Sequence, residues 1–177
     1  MRATPDQDAR YLAAAAEHGP AMQRLASATE ANTERRRDLL QDMHVALWRS
    51  FASYDERCAV RTWVYRVAHN VAASHVDRER RTRAPLVTLD EIEHMPSSQN
   101  ISTEVEESQA VGRLNDIIRA LGPPDRQIIT LYLEGLDAKS ISEVTGLSAG
   151  AIATRVSRLK SQLARLFQEN SPRDANV

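Results

Sequence analysis

Apolar residues return along this chain every three or four positions, the spacing of one buried stripe on an α-helix. Tyr11, Leu12, Ala15, Met22 and Leu25 carry the pattern through residues 11–28, and Gly19-Pro20 predicts a break within it. Residues 1–10 are polar and predict a frayed end. Asn32 is placed to cap a helix through Arg49, with Leu39, Leu40, Met43, Leu47 and Trp48 as its apolar positions. Ser53-Tyr54-Asp55-Glu56 reads as a turn. The helix after it runs to Arg83, with Val60, Trp63, Val64, Val67, Val71 and His75 as its buried face. Residues 84–103, with Pro85, Pro96, Ser97, Ser98 and Asn100, lose the periodicity and read as a linker with one short helical turn at Leu89–His94. Periodicity resumes near Thr103: Val111, Leu114, Ile117, Ile118 and Leu121 form a stripe that Gly122-Pro123-Pro124 ends. Three further helices follow: Asp125 to Glu134, a short one capped by Asp137, and a last one from Ala149 to about Gln168. The chain therefore reads as all-α.

Composition agrees with this reading: of 177 residues only 6 are Gly and 5% are aromatic, while 42% are hydrophobic. No apolar run reaches the length of a membrane span, so membrane insertion is not expected. Cys58 stands alone, which excludes an internal disulfide and fits a reducing, cytoplasmic setting. Five histidines lack metal-ligand spacing, and no nucleophile–base pair or phosphate loop is visible, so neither cofactor nor enzymatic activity is expected.

Charge changes the picture more. The net charge of −1 hides a strong segregation. Arg57 to Arg83 holds seven Arg against Asp77 and Glu79. Ala84 to Gly112 has no Lys or Arg but carries Asp90, Glu91, Glu93, Glu104, Glu106 and Glu107. Ala149 to Phe167 has Arg155, Arg158, Lys160 and Arg165 and no acid. A basic face binds polyanions even in a near-neutral molecule.

On the first basic helix, Arg61, Tyr65, Arg66, His69 and Asn70 lie largely off the apolar stripe, and Arg78, Arg80 and Arg81 follow. Cations that track phosphates beside an aromatic and an amide suit single-stranded or melted nucleic acid. The same pattern also fits an amphipathic helix with an ordinary solvated basic face. The second basic block completes a helix-turn-helix signature over Asp137–Gln162. Gly146 supplies the left-handed turn, and Ile141, Val144, Leu147, Ile152, Val156 and Leu159 lock the two helices. Ser148 caps the second helix. Small Ala149, Gly150, Ala151 and Ala153 then allow close groove entry, with Thr154, Arg155, Arg158 and Lys160 able to reach bases or phosphates.

Together the motifs resemble a bacterial RNA polymerase sigma factor of the small, extracytoplasmic-function type. Asp38-Leu39-Leu40-Gln41-Asp42 with Ala46-Leu47-Trp48 is similar to region 2.2, Val60 to Asn70 to regions 2.3 and 2.4, Leu121 to Gln127 to the opening of region 4, and Ser148 to Lys160 to its −35 helix. The resemblance implies a region 2 helical bundle over 1–83, an acidic linker over 84–107 and a region 4 helix-turn-helix over 108–170. It implies that Asp38, Gln41, Asp42, His44 and Trp48 contact core RNA polymerase. Cys58, Ala59 and Arg61, with Asn70, would receive a flipped −10 base of promoter DNA, and the acidic linker would thread the polymerase channel in place of RNA. The family carries acids just before the Asp38 position, where this chain has Arg35-Arg36-Arg37. Basic residues there oppose docking on a clamp that selects acids. That makes Thr33, and second Thr29, candidate sites for a Ser/Thr kinase, whose phosphate would restore the negative charge. In the other reading the arginines are solvated and Asp38 with Asp42 suffices. An anti-sigma factor is a further expected partner. A stand-alone helix-turn-helix regulator is the alternative function.

Overall fold

The computed structural model describes residues 5–82 and 103–169, and within them every regular element is helical. The elements are α1 (Pro5–Thr29), α2 (Thr33–Ser50), a 3-10 turn (Phe51–Ser53), α3 (Val60–Thr82), α4 (Thr103–Ala120), α5 (Asp125–Leu133), α6 (Ala138–Thr145) and α7 (Ala149–Glu169). The expected linker helix at Leu89–His94 lies outside the described residues.

Local chemistry sets the helix starts and stops. The Asn32 side chain accepts hydrogen bonds from the Glu34 and Arg35 amides, two of the donors a helix start leaves unpaired. Asp137 does the same for Ser140 N at the start of α6. Gly146, at φ 76°, closes α6 in the left-handed conformation that only glycine adopts without strain. Ser148 Oγ then accepts from Ala151 N at 3.3 Å to open α7.

Two sequence expectations fail here. α1 runs without interruption through Gly19-Pro20. Proline removes one helical hydrogen bond, but α1 is held against other helices on both sides of that point. Nor is its first turn loose. Gln7 is buried with its amide on the Trp48 carbonyl at 2.8 Å, and Asp8 accepts the Trp48 indole N–H at 2.7 Å.

α1, α2 and α3 bury one core, built on Met22, Leu25, Leu39, Met43, Leu47, Phe51 and Val64. α4 to α7 bury a second, built on Ile118, Ile128, Ile129, Leu131, Ile141, Ile152 and Leu159. The second core also takes in Ala21 and Ala28 from α1 and Tyr65 from α3. Alanines let α1 approach α4 closely, so α1 serves both cores from adjoining stripes.

Candidate nucleic-acid and polymerase interfaces

On α2, Asp38, Gln41, Asp42 and Val45 are exposed and share one side, as spacings of three and four residues require. His44 and Trp48 border this stripe and are half-buried under the start of α1: the Tyr11 hydroxyl meets His44 Nδ1 at 3.1 Å, and Trp48 is held by Asp8. Burial lowers the pKa of His44, which keeps that rim neutral. The three arginines upstream behave differently from one another. Arg35 folds inward, its Nε 3.3 Å from Glu30 and its Nη1 3.3 Å from Glu79. Arg36 donates to Thr33 Oγ1 at 3.4 Å. Arg37 is exposed. So of the three, Arg35 is already neutralised. Glu30 is a strong acceptor: burial opposes its charge, but bonds from Asn32 N, His75 and Arg35 together hold its carboxyl below the usual range.

Thr33 is exposed at the start of α2, as a modification site requires. Thr29 is not: it is 8% exposed, and its hydroxyl donates to the Leu25 carbonyl at 2.7 Å. The expectation of Thr29 as a second phosphorylation site is therefore corrected. At the end of α1 a threonine satisfies its hydroxyl within its own helix while α3 covers it.

The turn before α3 is built by aromatics. The Tyr54 ring lies 5.2 Å from that of Trp63 and 5.7 Å from that of Phe51, and its hydroxyl donates to the Cys58 carbonyl at 2.6 Å. The Trp63 indole donates to Ser50 Oγ at 2.8 Å. This holds Cys58 half-buried and Ala59 exposed at the mouth of α3. Asn70, Arg78, Arg80 and Arg81 are exposed along the rest of the helix.

α3 departs from expectation on its second side. Tyr65 and His69 lie off the predicted stripe, yet they are 6% and 3% exposed. With Arg61 they form one line at a spacing of four: Tyr65 and His69 are covered, while Arg61 stays exposed at its end and reaches α5. Arg61 Nη2 donates to the Glu134 carbonyl at 2.7 Å, and Arg66 Nη2 to the Glu143 carbonyl at 2.7 Å. The Tyr65 hydroxyl stands 3.4 Å from Glu134 Oε2, while Arg24 of α1 holds both Glu134 carboxylate oxygens at 2.6 Å. His69 has no solvent to stabilise its charge, which pushes its pKa down to about 3. A valine-rich stripe marks one buried side of a helix; the second was hidden because Tyr and His, with an apolar body and a polar tip, also bury.

Beyond this contact, α6, Gly146 and α7 form a helix-turn-helix. Ser148, Ala149, Gly150, Ala151, Ala153 and Thr154 are exposed at the opening of α7. Arg155 and Arg158 are drawn together by one carboxylate, Asp125, at 2.6 Å each. The Lys160 ammonium lies 5.6 Å from the centre of the Tyr132 ring. Asp125 and Glu134 are two of the partners that sequence reasoning missed. A carboxylate just before Gly135 was the only available signal for Glu134, because an acid at a helix C-terminus opposes the dipole and needs a cation from elsewhere.

Family comparison agrees with this anatomy. The model for Sigma-70 region 2 matches residues 15–82, and that for Sigma-70, region 4 matches residues 112–163. The chain belongs to the sigma-70 family. Among curated relatives, the extracytoplasmic-function sigma factor SigM of Mycobacterium tuberculosis is 26% identical over 152 residues, which is 85% of this chain and 73% of that protein. CnrH of Cupriavidus metallidurans is 26% identical over 142 residues, 76% of this chain and 74% of that one. The solved structure of CnrH in complex with the cytosolic domain of CnrY superposes with a TM-score of 0.65 at 20% identity, covering 94% of this chain and 99% of that one. This sigma factor is of the extracytoplasmic-function type, and it acts with core RNA polymerase to direct initiation at promoter DNA. The match to region 2 disfavours the stand-alone regulator, which would need only the helix-turn-helix. No helix among the described residues is long and apolar enough to cross a membrane.

Proposed function

We propose that the α2 stripe of Asp38, Gln41 and Asp42, rimmed by His44 and Trp48, docks on core polymerase. Cys58, Ala59, Asn70 and the Arg61–Arg66 face of α3, with Arg78, Arg80 and Arg81, take the melted −10 strand. The opening of α7 takes the −35 duplex. The observation that carries this reading is the set of exposed small residues Ser148, Ala149, Gly150, Ala151, Ala153 and Thr154, set on a capped helix around the buried Ile152, with cations directly after them. That is the shape a major groove admits. The protein has no catalytic role of its own and works in the cytoplasm, where polymerase is. Run-off transcription with purified core enzyme tests the assignment: Asn70→Ala is expected to spare holoenzyme assembly and reduce opening of the −10 region.

A second element of the proposal is control at Thr33. Its exposure and the Arg36 guanidinium already on its hydroxyl oxygen support it, because a phosphate there gains that charge-assisted bond and the dipole of α2. A Ser/Thr kinase is the partner this requires. An anti-sigma factor is also proposed, on the analogy of CnrH solved with the cytosolic domain of CnrY.

A further inference from the structure

Residues of α1, α3 and α5 enclose a cavity of about 110 Å³. Leu25 of α1, Ala72 and Val76 of α3, and Pro123 two residues before α5 give it an apolar wall. Ala73 and Asp77, both exposed, stand at its mouth. Its size is of the order of the ~150 Å³ apolar cavity that takes up benzene in an engineered protein. With an open mouth, it has room for the body of one small ring whose polar end points outward.

Two polar groups of this wall are incompletely paired. His69 is buried, and its ring nitrogens have no hydrogen-bond partner among the described residues. Kept neutral by burial, its imidazole offers one N–H donor and one acceptor. Arg126 is half-buried. Its Nε and Nη2 donate to the Leu121 carbonyl at 3.2 and 3.0 Å, and Nη2 also reaches the Arg119 carbonyl, while Nη1 has no partner among the described residues. Burial lowers the pKa of Arg126, and Arg80 and Arg119 lower it further; Asp77 is not among the charges acting on it. A neighbouring cavity, which shares Thr29, Val76 and Arg126, brings up those two arginines, and its acids Glu30 and Glu79 are held by Arg35 and His75. The hydroxyls of Thr29 and Thr130 donate to carbonyls of their own helices. Arg126 is thus a partly desolvated cation beside like charges, at the edge of an apolar space.

We propose that this cavity is a binding site for a small apolar carboxylate, one ring or one short branched chain bearing a single carboxyl group. The apolar body lies against Leu25, Ala72, Val76 and Pro123. The carboxylate becomes the counter-ion of Arg126, and the His69 N–H is a second donor to it. A neutral ligand of the same shape leaves the cation uncompensated, and a nucleotide exceeds the space. Leu25, His69 and Val76 fall within the region 2 match, and Pro123 and Arg126 within the region 4 match. One ligand therefore touches both halves and gives this sigma factor a direct chemical input. The site is independent of how the helices read promoter DNA.

The test titrates the full chain with benzoate, benzyl alcohol and acetate at neutral pH and constant ionic strength. Calorimetry gives affinity. Proton–carbon correlation spectra follow the histidine rings, with the His69 signals identified by their loss in His69→Leu. Circular dichroism monitors helix content. Benzoate is expected to saturate the protein below about 10 mM, a range open to a ligand of its size, and to shift the His69 signals along the same curve. Benzyl alcohol has the ring without the charge and acetate the charge without the ring; each binds at least about tenfold more weakly. Ala73→Leu, which fills the mouth from an exposed position, and Arg126→Gln each lose about tenfold, and Arg126→Lys, which keeps the charge, loses less. Absence of saturation by benzoate overturns the site. So does saturation that leaves the His69 signals in place or that Ala73→Leu does not weaken. Benzyl alcohol binding the wild type as tightly as benzoate overturns the assignment to a carboxylate, whether or not Arg126→Gln folds.

Discussion

The Arg155 guanidinium is bound to Asp125, 30 residues upstream, at 2.6 Å, and Arg158 takes the other oxygen of the same carboxylate at the same distance. Two cations of α7, the helix proposed to read the −35 element, therefore share one counter-ion belonging to a neighbouring helix. Asp125 fixes where they point and halves the charge they present. Asp125→Asn frees both arginines, and DNA affinity on random sequence is expected to rise while discrimination between promoters falls. The dependence of log affinity on log salt becomes steeper by about one phosphate contact. Titrations of cognate and random duplexes across a salt series check this. Arg155→Ala costs roughly 1–3 kcal/mol on the cognate site if its contact is to a base, and relaxes preference there.

Histidine sets the acid limit of the fold. His69 is buried and neutral with its pKa down at about 3, and burial lowers those of His18 and His44 as well. In the unfolded chain these groups regain a pKa near 6.5. The unfolded state therefore binds more protons below that pH, and stability falls as pH drops through 6.5 toward 3. Glu30, Asp55 and Asp137, whose carboxyls are held low, contribute stability above their unfolded values that is lost only further down, below about pH 4.5. The window from pH 6.5 to 4.5 thus isolates the histidines. His69 alone accounts for roughly 2–3 kcal/mol of loss across it. Urea unfolding of wild type and His69→Leu at several pH values reads the difference: the variant's slope in that window should be clearly shallower.

At Gly146 space and backbone separate cleanly. Nothing stands within 4 Å of an added Cβ, so a side chain there meets no clash, and the whole cost comes from the φ of 76°. Gly146→Ala is expected to lose about 1 kcal/mol and Gly146→Asn less, since asparagine tolerates the left-handed region. Gly146→Val should lose more than either. Thermal unfolding of the three variants ranks them.

Thr33 and Thr29 should part company. Thr33→Glu places an acid at the exposed start of α2, worth about 0.3–1 kcal/mol of helix stability, and is expected to capture more core polymerase in a pull-down than Thr33→Ala. Thr29→Glu buries a carboxylate beside Glu30 and should lower the melting temperature instead. Equal capture of core enzyme by the Thr33→Ala and Thr33→Glu proteins would remove the case for a switch.

Where the chain's own chemistry decides a feature, the sequence was enough to read it. Asn32, Asp137, Gly146 and Ser148 mark helix ends at the observed positions because a cap satisfies groups within a few residues of itself. The helix-turn-helix core was legible for the same reason: Ile141, Val144 and Ile152 pack within one local unit. Features decided by distant neighbours were not. Pro20 sits in an unbroken helix because two cores hold α1 straight, and Thr29 is closed by α3. Of the docking residues, Asp38, Gln41 and Asp42 are as open as their polarity suggests, whereas Trp48 is bound by Asp8 and Gln7, 40 and 41 residues away. The second buried side of α3 was missed because Tyr65 and His69, set between arginines, read as solvent-facing until Glu134, 69 residues beyond Tyr65, comes into place.

The division of the two cores has a consequence for the first of them. Region 2 lends the second core only Ala21, Ala28 and Tyr65, and keeps Met22, Leu25, Leu39, Met43 and Val64 for itself. On that half the buried residues given to the second core are two methyl groups and a phenol, and none of the large side chains of the first core. The three-helix bundle therefore draws its interior from its own helices, and what its neighbour adds is a cover rather than a keystone.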